Sequence, residues 1–176
     1  YGPNSDDRIQ YIFDGDTLVC EGEFTAMYIS TEYVYGLNLV SSKHRTTNSS
    51  SSPEEIISFY VQNAHGDIVQ LLDPDDNSHT VTKSYIYDAF GNELDPLTTD
   101  TNYLRYCGEY YERGEYYLRA RNYDPRTGRF TQEDPILSGL NWYVYCGNNP
   151  IAFIDPLGLE YVVVSGGKYK EGGGFK

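Results

Sequence analysis

The chain has 176 residues, which is enough for one ordinary domain with a sizeable core, and it carries a formal net charge of -13. So acidic a surface repels nucleic acid and anionic membranes over a Debye length of about 8 Å, and the composition therefore argues against a nucleic-acid partner. Nineteen tyrosines stand against one methionine and one tryptophan. This bias favours an all-β chain, in which tyrosine rings cover strand surfaces while their hydroxyls reach water.

The spacing of cysteine and histidine gives little support to metal or thiol chemistry. The cysteines, Cys20, Cys107 and Cys146, show no CxxC or histidine-paired spacing and allow at most one disulfide. The histidines stand in polar or turn-like surroundings and are interpreted as surface-loop residues; they are His44, His65 and His79. We therefore expect neither a metal nor a cofactor.

No segment of the sequence has the pattern of a membrane anchor or an export signal. The apolar runs are far shorter than the roughly 20 residues that a membrane helix needs, and no signal-peptide pattern opens the chain. Because Tyr1 is not an initiator methionine, we expect the chain to begin inside a larger protein, with any export signal upstream. Membrane insertion is not expected.

Three segments share one plan, in which a strand of alternating apolar residues meets a turn of Asp or Asn with Gly and a second strand returns. They are residues 11–18, 60–68 and 85–94. Asp or Asn can bond its own backbone at such a turn and Gly supplies positive φ, so each unit is a predicted β-hairpin. One hairpin cannot bury its face alone. Consecutive hairpins are therefore expected to add edge to edge into a long sheet that curls.

Residues 41–53 form a polar, serine-rich insertion that we expect to be an exposed or disordered loop. Helix signals are sparse. Residues 53–57 offer at most one turn, with Ser52 as its cap, and a second short helix is a candidate over residues 150–153.

The last third of the chain reads as further strands and turns. Residues 103–117 predict a hairpin that turns at 112–114, and 124–129 predict another, with Arg129 bracing a carboxylate. Residues 141–145 are expected to continue as a strand, and 161–164 form a strand-like run before a glycine-rich end.

Four ordered motifs follow one another over the same third of the sequence. They are Arg121-Asn122-Tyr123-Asp124-Pro125, Glu133-Asp134-Pro135, Gly147-Asn148-Asn149-Pro150 and Asp155-Pro156-Leu157-Gly158-Leu159. The stretch from 102 to 159 resembles the core domain that closes Rhs/YD-repeat proteins, and Tyr85-Ile86-Tyr87-Asp88 resembles a YD repeat. The resemblance implies three regions: degenerate YD-repeat hairpins over 1–101, the RHS repeat-associated core domain over 102–159, and over 160–176 the start of a variable toxin region, truncated before the effector.

What the resemblance implies is a hollow β-shell that encapsulates a C-terminal toxin and cuts its own chain by an aspartate-based mechanism. By position the cleavage pair is Asp134 and Asp155, and Arg121 holds one carboxylate by a fork of N–H donors. The cleavage motif supplies Pro156, Leu157 and Gly158, and the scissile bond is Leu159–Glu160. Two sequence departures lie beside this site: Asn122 stands where the family usually has tyrosine, and 136–140 is shorter than in many members.

The chemistry needs two carboxylates close together, one ionised to take a proton from water and one protonated to polarise the carbonyl. The sequence leaves open which aspartate carries the proton. Asp-Pro is above all a turn-forming pair, and this chain has five such pairs. A structural role therefore stands as the competing interpretation at each of them.

The implied partners are the chain's own C-terminal toxin region and, as further candidates, an immunity or secretion-associated protein. The implied location is outside a bacterium, either secreted or at the cell surface. A non-enzymatic extracellular β-repeat module that binds glycan or protein is the alternative function. A third interpretation is a folded but inactive end of a shell, since without enclosure the aspartates would keep ordinary pKa values.

Overall fold

A computed structural model describes residues 9–23, 28–46, 54–74, 80–97, 100–137 and 139–164. These residues contain thirteen β-strands and two short 3-10 turns, and no α-helix occurs among them. The predicted all-β class built from antiparallel hairpins is confirmed. The chain divides into two compact units, one of residues 1–61 and 71–83 and the other of residues 62–70 and 84–176.

Seven strands form one sheet in which every strand lies beside its neighbours in sequence. They are β1 (Ile9–Asp14), β2 (Thr17–Glu23), β3 (Tyr28–Tyr35), β4 (Leu39–Thr46), β5 (Glu54–Gln62), β6 (Ile68–Leu72) and β7 (Val81–Ser84). The pairs from β1 to β5 are antiparallel. The fully described connections, β1–β2, β3–β4 and β5–β6, are short, as is typical of a meander of hairpins.

The hairpin plan predicted for residues 11–18 and 60–68 is confirmed, because β1 turns into β2 and β5 into β6. The third predicted hairpin, residues 85–94, has a tighter turn. It has a single bridge from Tyr87 to Glu93, and its turn is closed by the Asp88 carboxylate, which accepts the backbone N–H groups of Phe90 and Asn92 at 2.9 Å each.

Two predictions on either side of the serine-rich segment are wrong. Residues 41–46 lie in β4, so a loop can begin only after them; 47–53 are outside the described residues. Residues 54–57 lie in β5 rather than in a helical turn. Cross-strand ion pairs favour the strand, because the Glu55 carboxylate lies 2.7 Å from Lys43 Nζ and 3.0 Å from Arg45 Nε.

The second unit contains a four-stranded sheet in the order β11-β10-β9-β8 and a separate two-stranded pair. Its strands are β8 (Tyr110–Glu112), β9 (Glu115–Leu118), β10 (Arg121–Asp124), β11 (Arg129–Phe130), β12 (Phe153–Ile154) and β13 (Val162–Val163). The 3-10 turns are Tyr106–Gly108 and Cys146–Asn148.

The hairpin predicted over 103–117 is confirmed by β8 and β9, and the strand-like run at 161–164 contains β13. The strand expected over 141–145 and the helix considered for 150–153 are wrong. The first segment makes only an isolated bridge from Val144 to Arg129, and the second is mostly turn.

The core of the second unit is built from aromatic side chains. Its buried members are Tyr106, Tyr116, Leu118, Tyr123, Phe130, Tyr145 and Cys146. The expectation that tyrosine hydroxyls reach water is wrong for three of them, which donate instead to backbone carbonyls of one turn. Tyr106 donates to Ala89 at 2.9 Å, Tyr116 to Gly91 at 2.9 Å and Tyr123 to Phe90 at 2.8 Å. Buried tyrosine thus joins the turn of residues 88–92 to the sheet that carries Arg121.

Candidate functional site

Arg121 opens β10 and is almost fully buried, with 3% of its side chain exposed. Its guanidinium carbon lies 3.6 Å from the centre of the Phe130 ring, which covers one face of the cation. One Nη donates to the backbone carbonyl of Trp142 at 3.0 Å. These contacts fix the fork of donors within the aromatic core.

Asp134 lies in the turn that follows β11 and is also buried. Its Oδ1 accepts the backbone N–H of Ile136 at 2.8 Å, and its backbone carbonyl accepts that of Leu137 at 3.0 Å. These bonds are those of an Asx turn, as the Asp-Pro pair predicts. The other carboxylate oxygen is left to face Arg121, whose Nη1 lies 4.0 Å away.

Asp155 follows β12 directly and has 3% of its side chain exposed. Its Oδ1 accepts the backbone N–H of Leu159 at 3.0 Å. Its Oδ2 lies 3.6 Å from Nη2 of Arg121. The carboxylate therefore holds the segment that is predicted from the sequence to be cleaved, and the same guanidinium faces both aspartates.

The predicted cleavage motif packs against the β9–β10 connection. Nε of Arg121 donates to the Gly158 carbonyl at 2.5 Å, and the backbone N–H of Ala120 donates to the Leu157 carbonyl at 3.1 Å. Gly158 has φ +66, and a Cβ at this position would lie 2.6 Å from the Leu118 carbonyl oxygen. Only glycine fits here without displacement of the backbone.

The rest of the motif runs outward from this contact. Pro156 is half-buried, Leu157 is 40% exposed, Leu159 is half-buried and Glu160 is exposed. The bond between Leu159 and Glu160 therefore lies where the chain passes from the buried site to the surface, which is where water can reach a carbonyl.

Burial sets the electrostatics of the site. It raises the pKa of Asp155, although backbone N–H groups of residues 157–159 and the charge of Arg121 act in the opposite direction. Burial also lowers the pKa of Arg121, against the influence of Asp134 and Asp155. The guanidinium of Arg121 lies between the carboxylates of Asp134 and Asp155, where a metal ion would have to bind. These three residues therefore do not form a metal site.

Glu109 is a buried carboxyl beside this site that the sequence did not indicate. Burial raises its pKa to about 7, its ion pair with Arg119 lowers it, and the charge of Asp155 raises it. Arg119 is held with φ +59 at the turn before β10. Glu109 and Arg119 are not part of a sequence motif, because their side chains meet only when β8 and β9 pair.

The structure brings together Arg121, Asp134 and Asp155, the three residues that the family resemblance singled out, and it places Gly158 and Leu159 against them. A neighbouring detail differs from expectation. In the turn after Asp124 the bracing arginine is Arg126, whose Nε lies 2.9 Å from the carboxylate, and not Arg129. Arg126 is two residues on, within reach of an Asx turn, whereas Arg129 is paired with Asp124 through the strand ladder.

No family model matches the chain. A curated relative, the tRNA(Glu)-specific nuclease WapA of Bacillus subtilis subsp. natto, is 35% identical over 94% of this chain and 8% of its own length. The tRNA nuclease WapA of Bacillus subtilis strain 168 is 41% identical over 62% of this chain and 5% of its own length. The chain thus spans less than a tenth of either relative.

A solved structure of a Photorhabdus luminescens Tc holotoxin pore, with an aspartate of its TccC3 component replaced by alanine, shares the fold with a TM-score of 0.56. The match has 18% identity and covers 90% of this chain and 9% of the other. The succession of antiparallel hairpins and the four ordered motifs agree with this likeness. With these relatives beside it, the chain belongs to the Rhs/YD-repeat family, as part of a C-terminal Rhs region.

Within the described parts of the chain no helix is long and apolar enough to cross a membrane.

Proposed function

We propose that this chain is a segment of a bacterial toxin shell that encloses a C-terminal effector and releases it by cutting the Leu159–Glu160 bond. The observation that carries the proposal is the position of Arg121, whose guanidinium faces both Asp134 and Asp155 and also binds the Gly158 carbonyl. A turn-forming role for the two Asp-Pro pairs would not require a shared buried cation. The clustering is better explained by carboxylate chemistry at the neighbouring peptide.

The different surroundings of the aspartates suggest how the work is divided. Burial favours the neutral form of Asp155, so we assign it as the acid, and Asp134 as the base. Asp134 takes a proton from water as the oxygen attacks the Leu159 carbonyl carbon. Asp155 gives its proton to the nitrogen of Glu160 as the C–N bond breaks. One water is consumed, and the products are a carboxyl group on Leu159 and an amine on Glu160.

Arg121 and the motif backbone act by positioning. The bond from Arg121 to the Gly158 carbonyl and the bond from the Leu159 N–H to Asp155 hold the two residues that precede the scissile bond. Because the target is part of the same chain, its effective concentration is high, and a modest catalyst can complete a single turnover.

The partners in this proposal are the chain's own C-terminal toxin region and an immunity or secretion-associated protein. The location is outside the producing bacterium, either secreted or at its surface. The nuclease names of the two Bacillus relatives support a toxic effector in proteins of this kind, and the Tc holotoxin likeness supports the shell fold.

The alternative of an adhesive module draws less support from the structure. Glycan stacking needs exposed aromatic faces, whereas Tyr106, Tyr116, Tyr123 and Tyr145 are each at most 3% exposed. The more exposed rings, such as Tyr117 at 41%, Trp142 at 39% and Tyr161 at 38%, still have more than half of their surface covered.

The test is the intact mass of the purified chain and of Asp134→Asn and Asp155→Asn variants after identical incubation. We expect the wild type to lose residues 160–176 and each variant to be cut at least about 100-fold more slowly, since each loses a proton-transfer group. Asp95→Asn is the matched control, because Asp95 precedes a proline but is exposed.

The control should be cut like the wild type, and circular dichroism should show all variants folded. Cutting of Asp134→Asn or Asp155→Asn at the wild-type rate would overturn the assignment. An uncut wild type would remove the protease claim and leave a structural shell segment.

A further inference from the structure

A second cluster of polar side chains lies in the turn between β5 and β6 and is not used by the cleavage chemistry. Asp67 is 7% exposed, and its carboxylate accepts three donors. They are Nδ2 of Asn63 at 2.7 Å, the backbone N–H of Cys107 at 3.0 Å and the ring nitrogen Nδ1 of His65 at 2.8 Å. The carboxylate is therefore held rigidly in one orientation.

Cys107 is brought to this carboxylate by an unusual backbone. Its φ is +55, in the left-handed region that residues with a side chain seldom adopt. Its sulfur lies 3.6 Å from Nδ1 of His65 and 3.9 Å from the hydroxyl of Tyr145. Backbone strain at a non-glycine residue is a feature that functional positions often show.

His65 is oriented by its other ring nitrogen. Nε2 lies 2.8 Å from the backbone carbonyl of Pro150, which only an N–H at Nε2 can satisfy. This bond leaves Nδ1 as the ring nitrogen that faces Asp67 and Cys107. A carbonyl that binds the outer N–H is the usual support of a metal-ligating histidine. The surface-loop interpretation of His65 is therefore wrong, since its side chain is 15% exposed.

We propose that Nδ1 of His65, a carboxylate oxygen of Asp67 and Sγ of Cys107 bind one divalent cation of the zinc class. The ligand atoms all lie within 4.8 Å of one another, a spacing that a cation with bonds of about 2.0–2.3 Å can bridge after small side-chain shifts. Imidazole, carboxylate and thiolate form a mixed N, O and S set that suits zinc rather than calcium or magnesium.

The charges and protons balance in this site. The carboxylate and the thiolate together cancel the charge of a divalent cation. Binding releases the proton on Nδ1 of His65, which otherwise bonds to Asp67, and the proton of the Cys107 thiol. Three protein ligands leave a fourth position for water. The cation would tie the β5–β6 turn to the first 3-10 turn and, through Pro150, to the segment before β12.

The competing explanation is an ion pair, in which a protonated His65 bridges Asp67 and the Pro150 carbonyl and the thiol only packs beside them. Both explanations use the same contacts, but they differ in whether the sulfur becomes a thiolate ligand. A thiolate ligand gives cobalt a charge-transfer absorption in the near ultraviolet, whereas a bystander thiol gives none.

The experiment titrates the full chain with Zn²⁺ by calorimetry and with Co²⁺ by absorption, both at pH 8, because burial raises the pKa of the Cys107 thiol. We expect one Zn²⁺ per chain and a thiolate-to-cobalt band in the wild type. Cys107→Ser and His65→Gln should each weaken Zn²⁺ binding at least about 100-fold, because each removes a direct ligand.

Cys20→Ser and His44→Gln are the matched controls, since they remove a thiol and an imidazole outside the cluster, and they should bind like the wild type. The cobalt band is read on the wild type, so it does not depend on any variant folding. No band, no Zn²⁺ binding by the wild type, or equal binding by all variants overturns the proposal. None of these readouts involves chain cleavage, so they are independent of the protease proposal.

Discussion

The two compact units bury their side chains in different ways. The first unit consists largely of hairpin strands that leave large apolar residues exposed on the sheet, among them Val34 at 53%, Ile56 at 48% and Val40 at 45%. The second unit closes on an aromatic core in which Tyr123 has no exposed surface. The second unit also exposes large apolar side chains, such as Ile86 at 65% and Ile151 at 74%, so what distinguishes it is its buried aromatic cluster.

This difference explains where the candidate chemistry lies. Burial raises the pKa of Glu109 and of Asp155, and both lie in the second unit, where Arg121 and Asp134 are also buried. On the first unit's sheet Lys43 and Glu55 remain partly exposed, whereas Glu21 is buried, with 5% exposed. If this difference matters for stability, substitutions in the core of the second unit should lower the free energy of unfolding more than substitutions on the sheet of the first unit.

The largest effect should come from the aromatic core. Tyr123 stacks on Tyr145 with ring centroids 3.9 Å apart and donates to the Phe90 carbonyl. We expect Tyr123→Ala to lower the free energy of unfolding by about 3–5 kcal/mol. Urea denaturation followed by Trp142 fluorescence measures it. Tyr117→Ala, on a ring that is 41% exposed, should cost less than about 1 kcal/mol, and equal costs would contradict the packing described.

A smaller effect is expected at Gly158, where space and backbone conformation both matter. Gly158→Ala meets the Leu118 carbonyl at 2.6 Å and also has to adopt φ +66, so we expect a loss of about 2–4 kcal/mol. Gly139→Ala is the control, because it has φ +74 and nothing within 4 Å. It should cost about 1 kcal/mol. The same urea titration compares Gly158→Ala with Gly139→Ala. Equal midpoints would show that a Cβ at residue 158 is accommodated beside the Leu118 carbonyl without added cost.

Stability should also depend on pH through Glu109. Its pKa is raised to about 7 in the folded chain, above the value of about 4.3 in an unfolded chain. The folded state therefore holds the proton more tightly, so this contribution is full below about pH 4.3 and is lost as the pH rises through about 7.

The loss attributable to Glu109 should be about 1–3 kcal/mol between pH 5 and pH 8. Asp155, whose pKa is also raised by burial, contributes with the same sign. Urea midpoints across this range should change less in Glu109→Gln than in the wild type, whereas Glu112→Gln should follow the wild type. If the urea midpoint of Glu109→Gln changes with pH as much as that of the wild type, the Glu109 carboxyl is exposed to water and the account of its burial is wrong.

The smallest effect is expected on the first unit's sheet. Glu55→Gln removes the exposed ion pairs with Lys43 and Arg45, which water and salt already screen. We expect a slightly lower melting temperature at low salt and no difference from the wild type at about 1 M salt. Differential scanning calorimetry at the two salt concentrations measures this. A large loss that persists at high salt would mean that the sheet depends on these charges.

Much of the fold could be predicted because hairpins are local. Turn residues such as Gly15 and Asp88 and alternating strands are visible in the sequence, so the pairing of successive strands followed from it. The loop predicted over residues 41–53 is wrong for 41–46, because β4 carries polar residues that are stabilised by cross-strand partners, which composition does not reveal. Residues 141–145 were predicted to form a strand, but in the structure only Val144 makes a bridge, to Arg129, and the side chain of Asn141 closes a turn by accepting the backbone N–H of Tyr143.

The candidate site was predicted only in part. Arg121, Asp134 and Asp155 were identified through motifs that resemble a family, and the structure brings them together. Their roles in cleavage stay predictions. Glu109 and the cluster of His65 with Cys107 could not be predicted, because their partners are far apart in the sequence and become neighbours only through the pairing of strands and turns.

The most direct measurement is the identity of the new chain ends in the wild-type protein, read by intact mass and by N-terminal sequencing of the released fragment. We expect a fragment that begins at Glu160 and a remaining chain that ends at Leu159. Arg121 binds the Gly158 carbonyl, so the nearest alternative is cleavage of the preceding bond, Gly158–Leu159. The fragments from the two cuts differ in mass by one leucine residue. A chain that stays whole, or a fragment that begins anywhere else, would contradict the account.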